Sequence, residues 1–175
     1  MQGQAVVPPE VEHVLTSPPQ HTPRAEHLEP FLQAAREVLE LELGTSVQRG
    51  KLQLWQGSQT TQDITVIIGI TGELTGLAIY GLSEATALAA ISRMMGTAIE
   101  ELDDLALSGI AELGNCIAGR ATTLLGDRGI VANIAPPVLL QGAGSRISTA
   151  GIMCLVVPLA TDVGTIEAQL AIKGR

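Results

Sequence analysis

Between positions 108 and 119 the string SGIAELGNCIAG places Ser108, Glu112, Asn115 and Gly119 at steps of four, three and four. On a helix such steps return to one side, so a hydroxyl, a carboxylate, a neutral amide and a residue without a side chain share a stripe. Asn is a poor helix former in mid-helix, expected there when tertiary context or function overrides propensity. The chain holds only two, Asn115 and Asn133. With Glu112 one turn before it and Gly119 one turn after, Asn115 has an anchoring charge on one side and a gap on the other, through which another protein could approach. The plain alternative is a solvated helix face.

What these residues cannot do is equally informative. His13, His21 and His27 lie in or at the edge of a Pro-rich segment, so the folded part is expected to contain no imidazole. That removes Ser-His-Asp and Cys-His nucleophilic sites and His-based zinc sites from the domain. Cys116 and Cys154 stand far apart, each in an apolar run, and read as small buried thiols that suit a reducing cytoplasm. Glu100, Glu101, Asp103 and Asp104 crowd the start of the same helix, where carboxylates favour the positive end of the helix dipole; they read as capping rather than as a metal site.

The elements that must position the stripe follow from periodicity. On the helix expected over 101–125, Ala106, Ile110, Leu113, Ile117, Ala121 and Leu124 form an apolar stripe, placed roughly 160–200° from the polar one by the 3.6-residue period. The polar stripe therefore faces outward. Gly114, mid-helix, costs about 1 kcal/mol relative to Ala and points to close packing or partner approach. Upstream, Phe31, Leu32, Ala35, Val38, Leu39 and Leu41 predict a helix over 28–43, with Pro30 in its first turn and Gly44 as its stop. Segments 51–55, 63–69 and 73–80 read as antiparallel strands in a hairpin or meander, divided by Gly57-Ser58 and Thr71-Gly72. Ser83 caps a second helix that runs to Met95 and ends at Gly96. Segments 130–134, 138–140, 152–157 and 165–172 are strand-like. One helix, three strands, two helices and four strands predict an α+β domain, a two-layer sandwich whose mainly antiparallel sheet is covered by long helices.

Bulk properties bound the function. A chain of 175 residues, 46% hydrophobic, is long enough for one domain with its own core. Residues 1–27, with Pro8, Pro9, Pro18, Pro19 and Pro23, read as a flexible tail before a domain over 28–175. A net charge of −8, no basic run, and one Phe, one Tyr and one Trp speak against nucleic acid. The longest apolar stretch, Gly151 to Ala160, is about ten residues and contains a proline, short of the roughly 20 a spanning helix needs, and MQGQAVVPPE lacks the features of a signal peptide.

The string SGIAELGNCIAGRATTLL, followed by IAPPVLLQGAG, resembles the CheX/CheC family of chemotaxis phosphatases, and EPFLQAAREVLELELG resembles that family's opening helix. The resemblance covers about residues 28 to 173 and implies an enzyme, a hydrolase acting on the aspartyl-phosphate of a CheY-type receiver domain. It implies that Asn115 positions a water in line with phosphorus, that Glu112 pairs with the receiver's Lys, and that Ser108 matches the residue opening the motif. Pro136, or its neighbour Pro137, matches the family's proline; a rigid lead into a strand explains it equally well. An amide can both donate to and accept from the attacking water, and this chemistry needs positioning more than covalent help. The resemblance further implies no cofactor on this chain, Mg²⁺ on the partner receiver, one site per chain and a homodimer. A module that binds a receiver without catalysis, or a signalling scaffold, remains the alternative.

Overall fold

The computed structural model describes residues 23–175; residues 1–22, the greater part of the segment read as a tail, lie outside them. The elements run α1 (Ala25–Leu43), β1 (Gln48–Arg49), β2 (Gln53–Trp55), β3 (Gln59–Thr60), β4 (Ile64–Gly72), β5 (Leu74–Leu82), α2 (Glu84–Met95), α3 (Asp104–Gly126), β6 (Ala132–Ile134), β7 (Val138–Gln141), β8 (Arg146–Ile147), β9 (Cys154–Thr161) and β10 (Gly164–Gly174). Eight strands form one antiparallel sheet in the order β1-β9-β10-β5-β4-β6, with β2 also paired to β9 and β7 to β4; β3 and β8 make a separate ribbon.

The period-2 pattern of the long strands builds a single apolar face. Ile64, Val66, Ile68 and Ile70 of β4 stand opposite Leu82, Tyr80, Ala78 and Gly76 of β5. The row continues through Ile166, Ala168, Leu170 and Ile172 of β10 to Leu159, Val157 and Leu155 of β9. All three helices pack their apolar sides into this core. On the opposite face, Ile152 packs with Cys154 and Ala171. The expected α+β architecture is thus present. Among the described residues no helix is long and apolar enough to cross a membrane.

Prolines shape the sheet's margins. Pro158 sits inside β9 with no N–H to donate, and where it faces the margin the outer strand splits into β1 and β2. Gly50 fills the break, donating its N–H to the Pro158 carbonyl at 2.8 Å, and a Cβ there would stand 3.3 Å from the proline ring. On the other margin, Pro136 and Pro137 interrupt β6 and β7, which pair with the two ends of β4. Ala135 bridges the break by donating to the Gly69 carbonyl at 2.8 Å.

Local signals located α2 and α3. Ser83 accepts from the Thr86 N–H and Gly96 closes α2 in the left-handed region. Asp103 caps α3 by accepting from the Ala106 N–H at 2.8 Å. The helix thus starts three residues later than expected, and Glu100 and Glu101 precede it.

Four expectations need correction. Helix α1 begins at Ala25, so Pro30 is inside it and His27 is buried against Gly174: the folded part does contain an imidazole. Segment 51–55 does not continue into a meander with β4, since β2 pairs with β9 a hundred residues on. At the end of α3 the buried leucine is Leu125, with Leu124 only half-buried, because a step of four from Ala121 stays nearer the core direction than a step of three. Cys116 is exposed, and only Cys154 is buried.

Buried along α3 are Ala106, Ile110, Leu113, Gly114, Ile117, Ala118, Ala121 and Leu125. At Gly114 the helix comes close to the sheet: a Cβ there would stand 2.8 Å from Val66 Cγ1 and 3.5 Å from the Tyr80 ring. The close packing expected at Gly114 is therefore against the protein's own sheet. Val66 is a β-branched residue in a central strand and has little freedom to yield. Gly114→Val is expected to destabilise the fold by about 2 kcal/mol or more through overpacking, read as a lower urea midpoint, and an unchanged midpoint would refute the tight contact.

Candidate active site

Helix α3 is held on one flank by α1 and on the other by β6 and β7. On the α1 flank, Arg120 Nε donates to Glu37 Oε2 at 2.7 Å, and Gln33 Nε2 donates to Glu37 Oε1 at 2.8 Å. The bond from Gln33, then that from Arg120, holds the Glu37 carboxyl below its usual range. Toward β6, the nearest side-chain atom to the space a Cβ would occupy at Gly119 is Ile134 Cδ1, 4.0 Å away. A side-chain-free gap therefore opens on that flank one turn beyond Asn115.

The stripe expected from spacing is present: Ser108 and Glu112 are exposed, and Asn115 and Gly119 are half-buried. Ser108 Oγ donates to the Asp104 carbonyl at 2.7 Å, a bond back to its own helix. Glu112 is the hub. Its Oε2 accepts from Asn115 Nδ2 at 3.3 Å, and its Oε1 from Cys116 Sγ at 3.6 Å. With its nitrogen toward the carboxylate, the Asn115 amide keeps its oxygen as a second polar group able to accept a hydrogen bond. Pro136 is not on this stripe; it is exposed in the link that follows β6, the strand packed against α3, with Pro137 half-buried beside it.

Three groups beside the stripe were not placed there by the sequence reading. Cys116 follows Asn115 by one residue, about 100° around the helix, which carries it outward beside Glu112. The apolar residues around it in sequence masked that position. Partial burial, the Glu112 charge, its hydrogen bond and Glu42 of α1 together push the Cys116 thiol up, so it stays protonated at neutral pH. Glu42 and Glu37 reach the site from a helix some 75 residues away in sequence, a contact with no local signal. Buried His27 takes no part. It lies 15 residues before Glu42 on α1, roughly 22 Å along the axis at 1.5 Å per residue. Among the described residues no group of three or more His, Cys, Asp and Glu is placed to hold a metal ion.

Comparison with known proteins places this geometry in context. The family model described as chemotaxis phosphatase CheX matches residues 64–160, a span that contains all of α3. The chain is 37% identical over 112 residues to the CheY-P phosphatase CheX of Thermotoga maritima, covering 63% of this chain and 72% of that protein. A chain in the crystal structure of the CheX–CheY–BeF3–Mg²⁺ complex from Borrelia burgdorferi is 32% identical, with a TM-score of 0.74 over 86% of this chain and 99% of that one. A CheC-like superfamily protein from Shewanella sp. PV-4 shares the fold at 24% identity, with a TM-score of 0.78 over 86% of this chain and 99% of that one.

The hub role of Glu112 has a chemical readout. Replacing its charge with a neutral amide removes the charge that holds the Cys116 proton and weakens the hydrogen bond it accepts, so Glu112→Gln lowers that pKa and raises the thiolate fraction at a given pH. Alkylation of Cys116 by iodoacetamide at pH 8 is expected to speed up about fivefold, Cys154 being buried. A rate equal to that of the unmodified protein would show that the carboxylate does not act on the thiol.

Proposed function

Since the chain belongs to the chemotaxis phosphatase CheX family, we propose that it is a hydrolase that removes the phosphoryl group from the aspartyl-phosphate of a CheY-type receiver domain. The observation that carries this reading is the Glu112–Asn115 pair, hydrogen-bonded on an exposed stripe of α3 inside the matched span.

Asn115 is the catalytic residue in this proposal, and its amide holds a water in line with phosphorus. The water oxygen bonds to phosphorus as the bond from phosphorus to the aspartyl oxygen breaks. Free carboxylate and inorganic phosphate leave, and both water protons go with the phosphate. Hydrolysis of an acyl phosphate has a good leaving group and needs alignment above all, which an amide on a rigid helix supplies. Glu112 pairs with the receiver's lysine. In the free chain that carboxylate is occupied by Asn115 and Cys116, so docking exchanges these neutral donors for a charged one and releases the Asn115 nitrogen toward the water. Ser108 and Gly119 support the stripe, Gly119 by leaving room beside Asn115, and Pro136 holds the adjoining sheet margin. Mg²⁺ comes with the receiver, whose carboxylates suit a hard cation. The place of action is the cytoplasm, which suits two free cysteines.

The test is the decay of a phosphorylated CheY-type receiver in Mg²⁺ buffer. The unmodified protein is expected to accelerate phosphate loss, and Asn115→Ala to lose roughly a hundredfold of that acceleration with its thermal melt unchanged. Binding without acceleration in the unmodified protein would instead identify a docking module.

A homodimer joined through the sheet is the second part of the proposal. Exposed Leu54 and Trp55 on β2 and exposed Val138 on β7 mark the two margins as apolar. Sedimentation equilibrium is expected to give twice the chain mass of 18.2 kDa, and a monomer at micromolar concentration would overturn it.

A further inference from the structure

The outward stripe of α3 does not begin at Ser108. Leu105 lies seven residues before Glu112, two turns and roughly 10 Å along the axis, within about 20° of the same direction. It is 66% exposed. On α1, Leu41 is 79% exposed, the most exposed of the large apolar side chains in the described residues. Glu37 meets Arg120 and, further along α1, Glu42 acts on Cys116, so the two helices run antiparallel here and Leu41, between Glu37 and Glu42, comes level with Cys116. The two leucines therefore straddle Glu112, Leu105 along its own helix and Leu41 across the seam.

Neither has structural work to do. Leucine, glutamate and lysine have similar helix propensity, so a charged residue would serve an exposed helical position as well and without presenting apolar surface to water. Most other large exposed apolar residues belong elsewhere: Leu52, Leu54 and Trp55 at one sheet margin, Val131 and Val138 at the other. Around the two leucines the surface is acidic. Glu42, Glu101, Asp103, Asp104 and Glu112 are exposed, and none forms an ion pair among the described residues. A surface of this kind fits a partner that brings both apolar sockets and cations; Leu105 continues the stripe that carries the Glu112–Asn115 pair, and Leu41 stands on the helix packed beside it.

We infer that Leu105 and Leu41 are the apolar anchors that seat the phosphorylated receiver domain over the Glu112–Asn115 pair, an inference that rests on the phosphatase reading above. The anchors act in docking and leave the water untouched, so they set affinity and partner choice and not the rate of the bound complex. Burying one leucine fully corresponds to about ten- to a hundredfold in affinity.

The experiment measures binding to CheY-type receivers activated with beryllium fluoride and Mg²⁺, alongside phosphate release from the phosphorylated form, for the unmodified protein, Leu105→Gln, Leu41→Gln and Leu105→Met. Both Gln variants are expected to bind about tenfold or more weakly, with unchanged phosphate release at saturation and unchanged melting, and Leu105→Met is expected to keep most of the affinity. Gln variants that bind like an active unmodified protein overturn the anchors and leave the phosphatase reading standing. An unmodified protein that neither binds nor dephosphorylates any receiver in the panel overturns both.

Discussion

Helix α3 lies so close to the sheet that one of its mid-helix residues can carry no side chain. Gly114 rests on Val66 and the Tyr80 ring, and Asn115 is the next residue. Interiors packed as densely as crystals transmit such contacts with little slack, so the backbone under Asn115 is fixed by the sheet and not by its own weak helix propensity. Tyr80 shows how much this contact dominates: its hydroxyl is buried with no hydrogen-bond partner among the described residues, an expense the packing of its ring against α3 must outweigh. Both flanks continue the constraint. Arg120 ties α3 to α1, and β6 and β7 wall its other side, so the polar stripe is the one direction left open.

On that open side the polar groups satisfy one another. Glu112 receives Asn115 and Cys116 with its two oxygens, which orients the amide before any partner arrives. Partial burial first, and then the Glu112 charge and its hydrogen bond, push the Cys116 thiol further up from its ordinary value. One carboxylate thus orders two neighbours in the free chain and, in the proposed complex, would be available to a cation.

Legibility in the sequence followed the range of the interactions concerned. Helix α2 could be bounded at both ends because its determinants, Ser83 and Gly96, lie within a residue of the boundaries they set. Both faces of α3 were readable because a single period generates them, and with them Ser108, Glu112, Asn115 and Gly119. The same period, applied one residue too short, put Leu124 where Leu125 is. Helix α1 was begun too late because a proline so often opens a helix that Pro30 outweighed the residues before it, and His27 was left outside the fold. The pairing of β2 with β9 could not be read at all: it joins segments a hundred residues apart, and the alternation of either strand says only that it pairs, not with what. Glu37 and Glu42 were missed at the site for the same reason, and Cys116 because its apolar neighbours in sequence were mistaken for its neighbours in space.

The polar stripe holds no activated nucleophile, since its one hydroxyl, Ser108, donates back to the Asp104 carbonyl, and this bears on where selectivity can arise. In the proposed reaction the labile bond, the cation and the lysine all belong to the receiver, and this chain adds an amide, a carboxylate and a surface. An amide that aligns a water cannot distinguish one aspartyl-phosphate from another, since the reacting atoms are the same in each. Discrimination must then come from parts of the receiver distant from phosphorus, through contacts that decide which receiver is held over the amide. Such a division favours a rigid helix over a mobile loop as the carrier of the site, because orientation set by docking reaches the water only if nothing between them gives way. The close seating of α3 on the sheet meets that requirement, and the glycine that permits it adjoins the residue that needs it.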